Sequence, residues 1–314
     1  MKEKNSIMRK IVKNMSRVII GKEGPSRLMV IALASSGHIL IEDVPGIGKT
    51  TMANSMAKSV GLSFNRIQFT PDILPSDITG FTIFNQKTGE FEYRTGNVMS
   101  NVILADEINR TSPKTQASML EVMEERQVTV DGKTYRVPDP FMVIATQNPV
   151  EYMGTYPLPE AQMDRFMMRI SAGYPSHSEE VDILYRFQES NPLNDLTPVV
   201  TREELLELQQ QVRKVRVDKS LAGYIVDLIT ATRRHGHVML GCSPRASLSL
   251  FRASQAAALY DGRDYVLPED IRDLAVPVLS HRLVLKQEAK IKRITNESII
   301  LDIVERQRIP VGIK

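Results

Sequence analysis

Apolar residues follow two alternating periods through the first half of the chain. Runs of strand length, bounded by turn signals, cover residues 38–41, 64–69, 101–105, 141–145 and 166–170. Apolar residues at helical spacing predict helices over residues 7–18, 25–36 and 50–60. Strands that alternate with helices are typical of a mostly parallel sheet covered by helices on both faces. We therefore expect an α/β fold for this part of the chain.

Two predicted hairpins interrupt this alternation. Within residues 70–99, two stretches of alternating apolar and polar residues flank a turn that contains glycine. Within residues 126–140, similar stretches flank Asp131-Gly132, a pair that favours a tight turn with positive φ. Both hairpins project from an otherwise compact pattern. They are interpreted either as surface flaps or as segments that grip a partner, and the second interpretation is favoured.

The second half of the chain is predicted to be helical. Apolar stripes at helical spacing begin near Leu205, Leu221 and Ala246, and Pro268 starts a further helix with acidic residues in its first turn. Residues 191–198 read Asn-Pro-Leu-Asn-Asp-Leu-Thr-Pro, which is typical of a linker. We therefore expect a domain boundary there, which separates residues 1–195 from residues 196–314.

Composition and charge exclude several classes of protein. The chain has 314 residues, of which 42% are hydrophobic and 25% charged, as in ordinary globular proteins. Its single cysteine, Cys242, excludes an intramolecular disulfide and a cysteine-rich zinc site. The net charge of 40 − 37 = +3 is too small to demand a nucleic-acid partner. The longest apolar stretch, residues 28–41, is interrupted and too short to span a bilayer, so we expect no membrane insertion and a cytoplasmic location.

A candidate phosphate-binding loop runs from Asp43 to Thr50 and reads Asp-Val-Pro-Gly-Ile-Gly-Lys-Thr. It follows a predicted strand and opens a predicted helix, which is the context that such loops require. Lys49 is expected to reach the β- and γ-phosphates, and the Thr50 hydroxyl to bind Mg²⁺. The first position of the usual pattern is Asp43 instead of glycine. Because that position only starts the loop, we expect phosphate binding to survive.

Two further strands end in polar residues that suit a nucleotide site. Asp106 and Glu107 follow a buried strand, at the strand end where ligands bind in open α/β sheets. Asp106 is expected to hold Mg²⁺, and Glu107 to act as general base on the attacking water. Asn148 follows the next buried strand and could hold that water or contact the γ-phosphate. In isolation, either acid could also cap the helix that begins near Pro113 or face solvent, and Asn148 could be a turn residue before Pro149.

Longer motifs resemble the MoxR family of AAA+ ATPases. They include Asp-Glu-Ile-Asn-Arg from Asp106, Ala-Thr-Gln-Asn-Pro from Ala145, and Gly-Thr-Tyr-Pro-Leu-Pro-Glu-Ala-Gln-Met-Asp-Arg-Phe from Gly154. The resemblance covers nearly the whole chain. It implies a three-layer αβα core whose parallel sheet has the strand order 5-1-4-3-2, followed by an all-α lid. It also implies that residues 70–99 are the insert in the second helix of that family.

The resemblance assigns roles to individual residues. The catalytic set that it implies is Glu107, Asn148 as sensor 1, Arg165 as arginine finger and Arg245 as sensor 2. The residues that it implies for ATP binding are Val18, Ile19, Gly21, Pro45, Gly46, Ile47, Gly48, Lys49, Thr50, Thr51 and Asp106, of which Thr50 and Asp106 also hold Mg²⁺. The finger of such ATPases reaches the nucleotide of a neighbouring subunit, so the resemblance implies a homo-oligomer, usually a ring of six.

Three functions remain open from the sequence. The first is an ATP-driven remodeller that assembles or activates client proteins, among which the family often uses von Willebrand factor A-domain partners. The second is a nucleic-acid motor, which the mixed charge of residues 126–140 disfavours. The third is a scaffold that binds ATP with little turnover, which the presence of Glu107 and Arg165 disfavours.

Overall fold

A computed structural model describes residues 6–148 and 154–310 of the chain. Its central feature is a five-stranded sheet formed by β1 (Ile39–Glu42), β2 (Phe64–Gln68), β5 (Val102–Asp106), β8 (Met142–Gln147) and β9 (Met168–Ile170). The strand order is β2-β5-β8-β1-β9, and every adjacent pair is parallel. Numbered within this sheet alone and read from the β9 edge, the order is 5-1-4-3-2. The predicted topology is therefore confirmed.

The central strands are apolar because the sheet is covered on both faces. All five residues of β5 are buried, as are the first five residues of β8. The covering helices of the core are α1 (Ser6–Met15), α2 (Glu23–Ala34), α3 (Lys49–Ser59) and α5 (Pro113–Glu125). Helix α2 begins two residues before Pro25, which was the predicted start. Pro25 fits at this position because the N–H groups of the first turn lack helical partners, so proline is tolerated there.

Two antiparallel hairpins leave the core where the sequence predicts them. The insert hairpin pairs β3 (Gly80–Asn85) with β4 (Glu90–Thr95), and the second hairpin pairs β6 (Gln127–Val130) with β7 (Lys133–Arg136). Asp131 and Gly132 have φ angles of 48° and 75°, as the predicted turn requires. Tyr93 of the insert hairpin stacks on Tyr135 of the second hairpin, with ring centroids 4.0 Å apart. The two hairpins therefore support each other.

Short helices connect these elements and lead into the second half. They are α4 (Pro75–Thr79), the 3₁₀ turn Ile108–Arg110, α6 (Glu160–Met163) and α7 (His177–Arg186). The boundary predicted between residues 195 and 196 falls in the loop between α7 and the next helix, and it stays a prediction. None of the helices in the described ranges combines the length and apolarity that a membrane-spanning segment needs.

The second half is the helical lid that the sequence predicts, with one addition. Its helices are α8 (Arg202–Lys214), α9 (Lys219–Arg234), α10 (Pro244–Tyr260), α11 (Pro268–Leu279), α12 (Gln287–Ile291) and α13 (Asn296–Arg306). The addition is a two-stranded antiparallel ribbon of β10 (Val238–Leu240) and β11 (Val284–Leu285), with the 3₁₀ turn Ser280–Arg282 before it. One apolar cluster contains core residues such as Val30 and lid residues such as Leu250, so the lid packs directly on the core.

Candidate functional site

The loop between β1 and α3 has the backbone shape of a phosphate cradle. Gly46 and Gly48 both have φ of 87°, a left-handed conformation that side chains with a Cβ disfavour. Helix α3 begins directly afterwards at Lys49, so its free N–H groups and the positive end of its dipole face the loop. Thr50 and Thr51 lie in its first turn. Pro45 and Gly46 are exposed. A Cβ built on Gly46 or Gly48 would have no atom of a non-adjacent residue within 4 Å, so the space beside both glycines is open.

Asp43 explains why the loop does not start with glycine. Its buried carboxylate accepts hydrogen bonds from the Ser171 hydroxyl at 2.8 Å and from the backbone N–H groups of Ala172 and Gly173 at 2.5 and 3.3 Å. These three residues directly follow β9, the neighbour of β1 in the sheet. The Asp43 side chain therefore joins the start of the loop to the adjacent strand end and is not a phosphate ligand.

Lys49 lies among the acidic residues that the sequence predicts for the site. Its Nζ donates a hydrogen bond to the Asp43 carbonyl at 2.7 Å. Partial burial lowers the pKa of Lys49, and the negative charges of Asp106, Asp43 and Glu107 oppose that shift. This agrees with the strand order β5-β8-β1, which places the end of β5 and the loop after β1 at the same edge of the sheet.

Asp106 ends β5 with both carboxylate oxygens engaged. Oδ1 accepts a hydrogen bond from the Thr146 hydroxyl at 2.6 Å. Oδ2 accepts two from Arg66 on the edge strand β2, from Nε at 3.0 Å and Nη2 at 2.7 Å. The carboxylate is thereby fixed at the end of β5, and Arg66 supplies a neutralising cation that sequence reasoning missed. The sequence carried no local signal for it, since an arginine on an edge strand is usually a solvated side chain.

Glu107 sits directly beyond β5 in a left-handed backbone conformation, with φ of 57°. Its N–H donates to the Thr146 hydroxyl at 2.8 Å, which holds the turn. Its Oε2 accepts a hydrogen bond from Gln68 at 2.8 Å and lies 3.3 Å from an Arg110 nitrogen. The carboxylate of the predicted general base is therefore held by two side chains that sequence reasoning did not identify.

Asn148 lies at the same edge of the sheet as the loop. The register pairs Glu42 with Gln147, so Asn148 stands one residue beyond the last pair of β1 and β8. Asn148 is buried, with 6% of its surface exposed, and it has an interaction partner. The parallel sheet thus brings Lys49, Asp106 and Asn148 to the carboxyl ends of three neighbouring strands.

A small apolar cavity beside the loop suits a nucleobase. It has a volume of about 160 Å³. The predicted residues that line it are Val18, Ile19, Gly46, Ile47, Gly48 and Thr51. Gly21 does not line it. Its backbone has φ of 70°, a left-handed conformation that favours glycine.

Helix α7 and the residue that caps its end contribute two lining residues that sequence reasoning missed, Ile183 and Phe187. They are four positions apart and therefore share one face of the helix end. The same segment also contains Val181, Leu184 and Tyr185, which are exposed, so the sequence alone does not single out the two lining residues. Lys22 also lines the cavity, and its Nζ donates to the Tyr174 carbonyl at 3.0 Å.

The two predicted arginines do not join this site. Arg165 precedes β9, and it lines a cavity of about 280 Å³ together with His38, which precedes β1. Arg245, at the start of α10, lines the same cavity. This cavity therefore lies at the amino-terminal edge of the sheet, and the loop lies at the carboxyl-terminal edge. Both arginines bind Glu124 of α5, at 2.8 Å from Arg165 Nε and 2.5 Å from Arg245 Nη2.

The residues at the loop fit a triphosphate and a divalent cation. Backbone N–H groups and one lysine suit phosphate oxygens, while a hydroxyl at Thr50 and a carboxylate at Asp106 are oxygen ligands of the kind that Mg²⁺ prefers. Within the described ranges, no cluster of three or more His, Cys, Asp or Glu residues could enclose a metal by itself. A metal at Asp106 would therefore share its coordination with phosphate and water.

Known proteins resemble this chain over nearly its whole length. Residues 38–168 match the model of the ATPase family associated with various cellular activities (AAA), and residues 230–303 match the AAA lid domain. The uncharacterized protein YeaC of Bacillus subtilis is 53% identical over 97% of this chain and 95% of its own length.

Two further relatives agree with these matches. Chaperone MoxR1 of Mycobacterium tuberculosis is 42% identical over 94% of this chain and 80% of its own length. A crystal structure from Cytophaga hutchinsonii, whose description suggests an ATPase, is 41% identical and covers 98% of this chain and 96% of its own, with a TM-score of 0.92. The chain therefore belongs to the MoxR family of AAA+ ATPases.

Proposed function

We propose that this protein hydrolyses ATP with Mg²⁺ at the loop between β1 and α3. The observation that carries the proposal is the strand order, which brings the ends of β5 and β8, with Asp106, Glu107 and Asn148, to the same edge of the sheet as the loop that contains Lys49. A lysine at a phosphate cradle and two adjacent acids are the groups that phosphoryl transfer to water needs. The apolar cavity lined by Ile183 and Phe187 would take the base.

Each residue has one task in this proposal. Lys49 and the backbone N–H groups after Gly46 bind the phosphates. Thr50 and Asp106 hold Mg²⁺, which neutralises charge on the β- and γ-phosphates when it is bound. Glu107 orients the attacking water and accepts its proton, and Asn148 helps to position that water. Gln68 holds the Glu107 carboxylate at 2.8 Å, so this hydrogen bond must loosen for the carboxylate to accept the proton.

Arg165 and Arg245 act on the nucleotide of a neighbouring subunit in this proposal. Strand β1 alone, four residues long, separates their cavity from the loop by about 13 Å at 3.3 Å per residue. They cannot reach the phosphates of their own chain at that separation, so a second copy must present its loop to them. We therefore propose a homo-oligomer, of which a ring of six is the expected form.

The work done by this ATPase is proposed to be the remodelling, assembly or activation of client proteins in the cytoplasm, with von Willebrand factor A-domain proteins as candidate clients. The insert hairpin supports a protein client because its side chains Phe81, Phe84 and Phe91 are 48%, 54% and 72% exposed. Exposed aromatic side chains are typical of surfaces that bind proteins. The second hairpin carries charges of both signs, which disfavours a nucleic-acid groove.

The test is Glu107→Gln, which keeps the size of the side chain and removes its basicity. We expect the variant to bind ATP and Mg²⁺ and to retain unhydrolysed ATP after gel filtration, while steady-state phosphate release falls at least about 100-fold. Glu121→Gln, on the exposed face of α5, is the matched control. Normal turnover by the Glu107→Gln variant would exclude Glu107 as the general base. Unchanged ATP hydrolysis by the unsubstituted protein after removal of Mg²⁺ would exclude a role of the metal in the reaction.

A further inference from the structure

Glu124 joins two arginines that come from different parts of the chain. Its Oε2 accepts from Arg165 Nε at 2.8 Å, and its Oε1 accepts from Arg245 Nη2 at 2.5 Å. Arg165 belongs to the segment before β9 and Arg245 to the first turn of α10. One carboxylate therefore fixes the positions of two guanidinium groups that the chain places 80 residues apart.

The backbone that carries Glu124 is itself anchored. His38 lies 3.1 Å by Nε2 from the Met123 carbonyl, and its Nδ1 accepts from the Val143 N–H at 2.9 Å. The imidazole must therefore be neutral, with its proton on Nε2, and burial lowers its pKa to about 4. This buried ring ties the last turn of α5 to the amino ends of β1 and β8, so Glu124 projects from a fixed position.

The segments that carry the two arginines are also tied together. Asp164, which precedes Arg165, accepts from the Ser243 hydroxyl at 2.7 Å, and Ser243 caps the helix that contains Arg245. Asp164 also accepts from Arg282 at 2.7 Å, and the Arg282 side chain is 2% exposed. These contacts join the two segments independently of Glu124, which is left to fix the guanidinium groups.

The remaining donors of both arginines can still bind an anion. Among the described residues, Arg165 has no hydrogen-bond partner for its Nη groups, and Arg245 uses Nη2 alone. They border the open cavity of about 280 Å³, which Arg126 also lines. Without Glu124, two like charges would repel each other and each side chain would sample many rotamers.

We propose that Glu124 is a positioning residue, which holds Arg165 and Arg245 side by side so that both reach the same phosphate of a neighbouring subunit. The inference rests on the proposed function, because it needs the two arginines to act across an interface. Glu124 touches neither nucleotide nor water in this role. The Arg165 hydrogen bond lowers the pKa of Glu124, so the carboxylate keeps its charge at neutral pH.

Mixtures of variant subunits test this inference. In the parent mixture, Lys49→Ala subunits supply arginines and Arg165→Ala subunits supply the nucleotide, so hydrolysis requires both. Glu124→Gln is then added either to the Lys49→Ala subunit or to the Arg165→Ala subunit. We expect a loss of about tenfold or more in kcat in the first case alone, because misplacing a catalytic group by about 1 Å can cost about 10²-fold. The second subunit has no arginine pair left to disturb.

The controls separate positioning from folding. Glu125→Gln removes the same charge one residue away and is expected to leave both mixtures unchanged. Nucleotide affinity and particle mass are measured for every mixture. The role of Glu124 would be overturned, and the proposed function left intact, by any of three results for kcat: an equal loss in the two cases, no loss in either case, or an increase. Assembled parent mixtures without activity would instead overturn catalysis across the interface, and this inference with it.

Discussion

Replacing Asp43 tests the unusual start of the phosphate loop. Asp43→Ala removes a buried carboxylate that accepts three hydrogen bonds, two of them from the backbone N–H groups of Ala172 and Gly173. The substitution leaves these donors without their partner and frees the loop from the end of β9. We expect lower stability and weaker nucleotide binding, even though Asp43 is not placed at the phosphates.

The size of the effect follows from the contacts. Hydrogen bonds to a charged group contribute about 1.5–3 kcal/mol each, which sets an upper limit of about 9 kcal/mol for three. Ser171 is exposed, and Ala172 and Gly173 are partly exposed, so water can replace part of the lost bonding. The Gly173 bond is also long, at 3.3 Å. We therefore expect the free energy of unfolding to fall by about 2–3 kcal/mol.

Two assays measure this prediction. Urea unfolding gives the global change, and hydrogen exchange gives the local one, because the Ala172 and Gly173 amides should lose protection. Asp43→Asn keeps one acceptor oxygen and should lose about half as much stability. Asp195→Ala, at an exposed carboxylate, is the control. Wild-type stability together with unchanged exchange at both amides would refute the anchoring role of Asp43.

Three further substitutions probe the rest of the site. Lys49→Ala should abolish measurable ATP binding in equilibrium dialysis because it removes the lysine of the loop, whereas Lys10→Ala on α1 should not; retained affinity would contradict the phosphate cradle. Arg165→Ala should bind ATP normally but lose hydrolysis by about 10³-fold or more, and unimpaired phosphate release from assembled particles would contradict its role. Phe187→Ala should weaken ATP affinity about tenfold by removing apolar contact worth about 1.4 kcal/mol, while Tyr185→Ala, 73% exposed on the same helix, should not; equal effects would exclude the apolar cavity as the base site.

Local patterns predicted the fold because each element carries its own signal. The buried strands and the Asp131-Gly132 turn are specified by residues adjacent in sequence, and both are present in the structure. The topology needed the long motifs, since periodicity alone does not order strands in a sheet. The β10–β11 ribbon was missed because its strands are two and three residues long.

The site was predictable only where its residues form contiguous motifs. Lys49 and Asp106 stand in such motifs, and the parallel sheet brings them together. Their roles stay predictions. Arg66, Gln68 and Glu124 carry no local signal, because each contributes through a partner about 40 residues or more away in the chain. Side chains of this kind become recognisable only when tertiary contacts are known.

The stacked tyrosines of the two hairpins have a mechanical consequence. Tyr93 and Tyr135 lie face to face, and the strand that pairs with Tyr135 begins at Gln127, two residues after the end of α5, the helix that contains Glu124. The aromatic contact is therefore one of the links between the insert hairpin and the end of α5. Binding at the outer tip and the orientation of the arginine pair are in this way expected to change together.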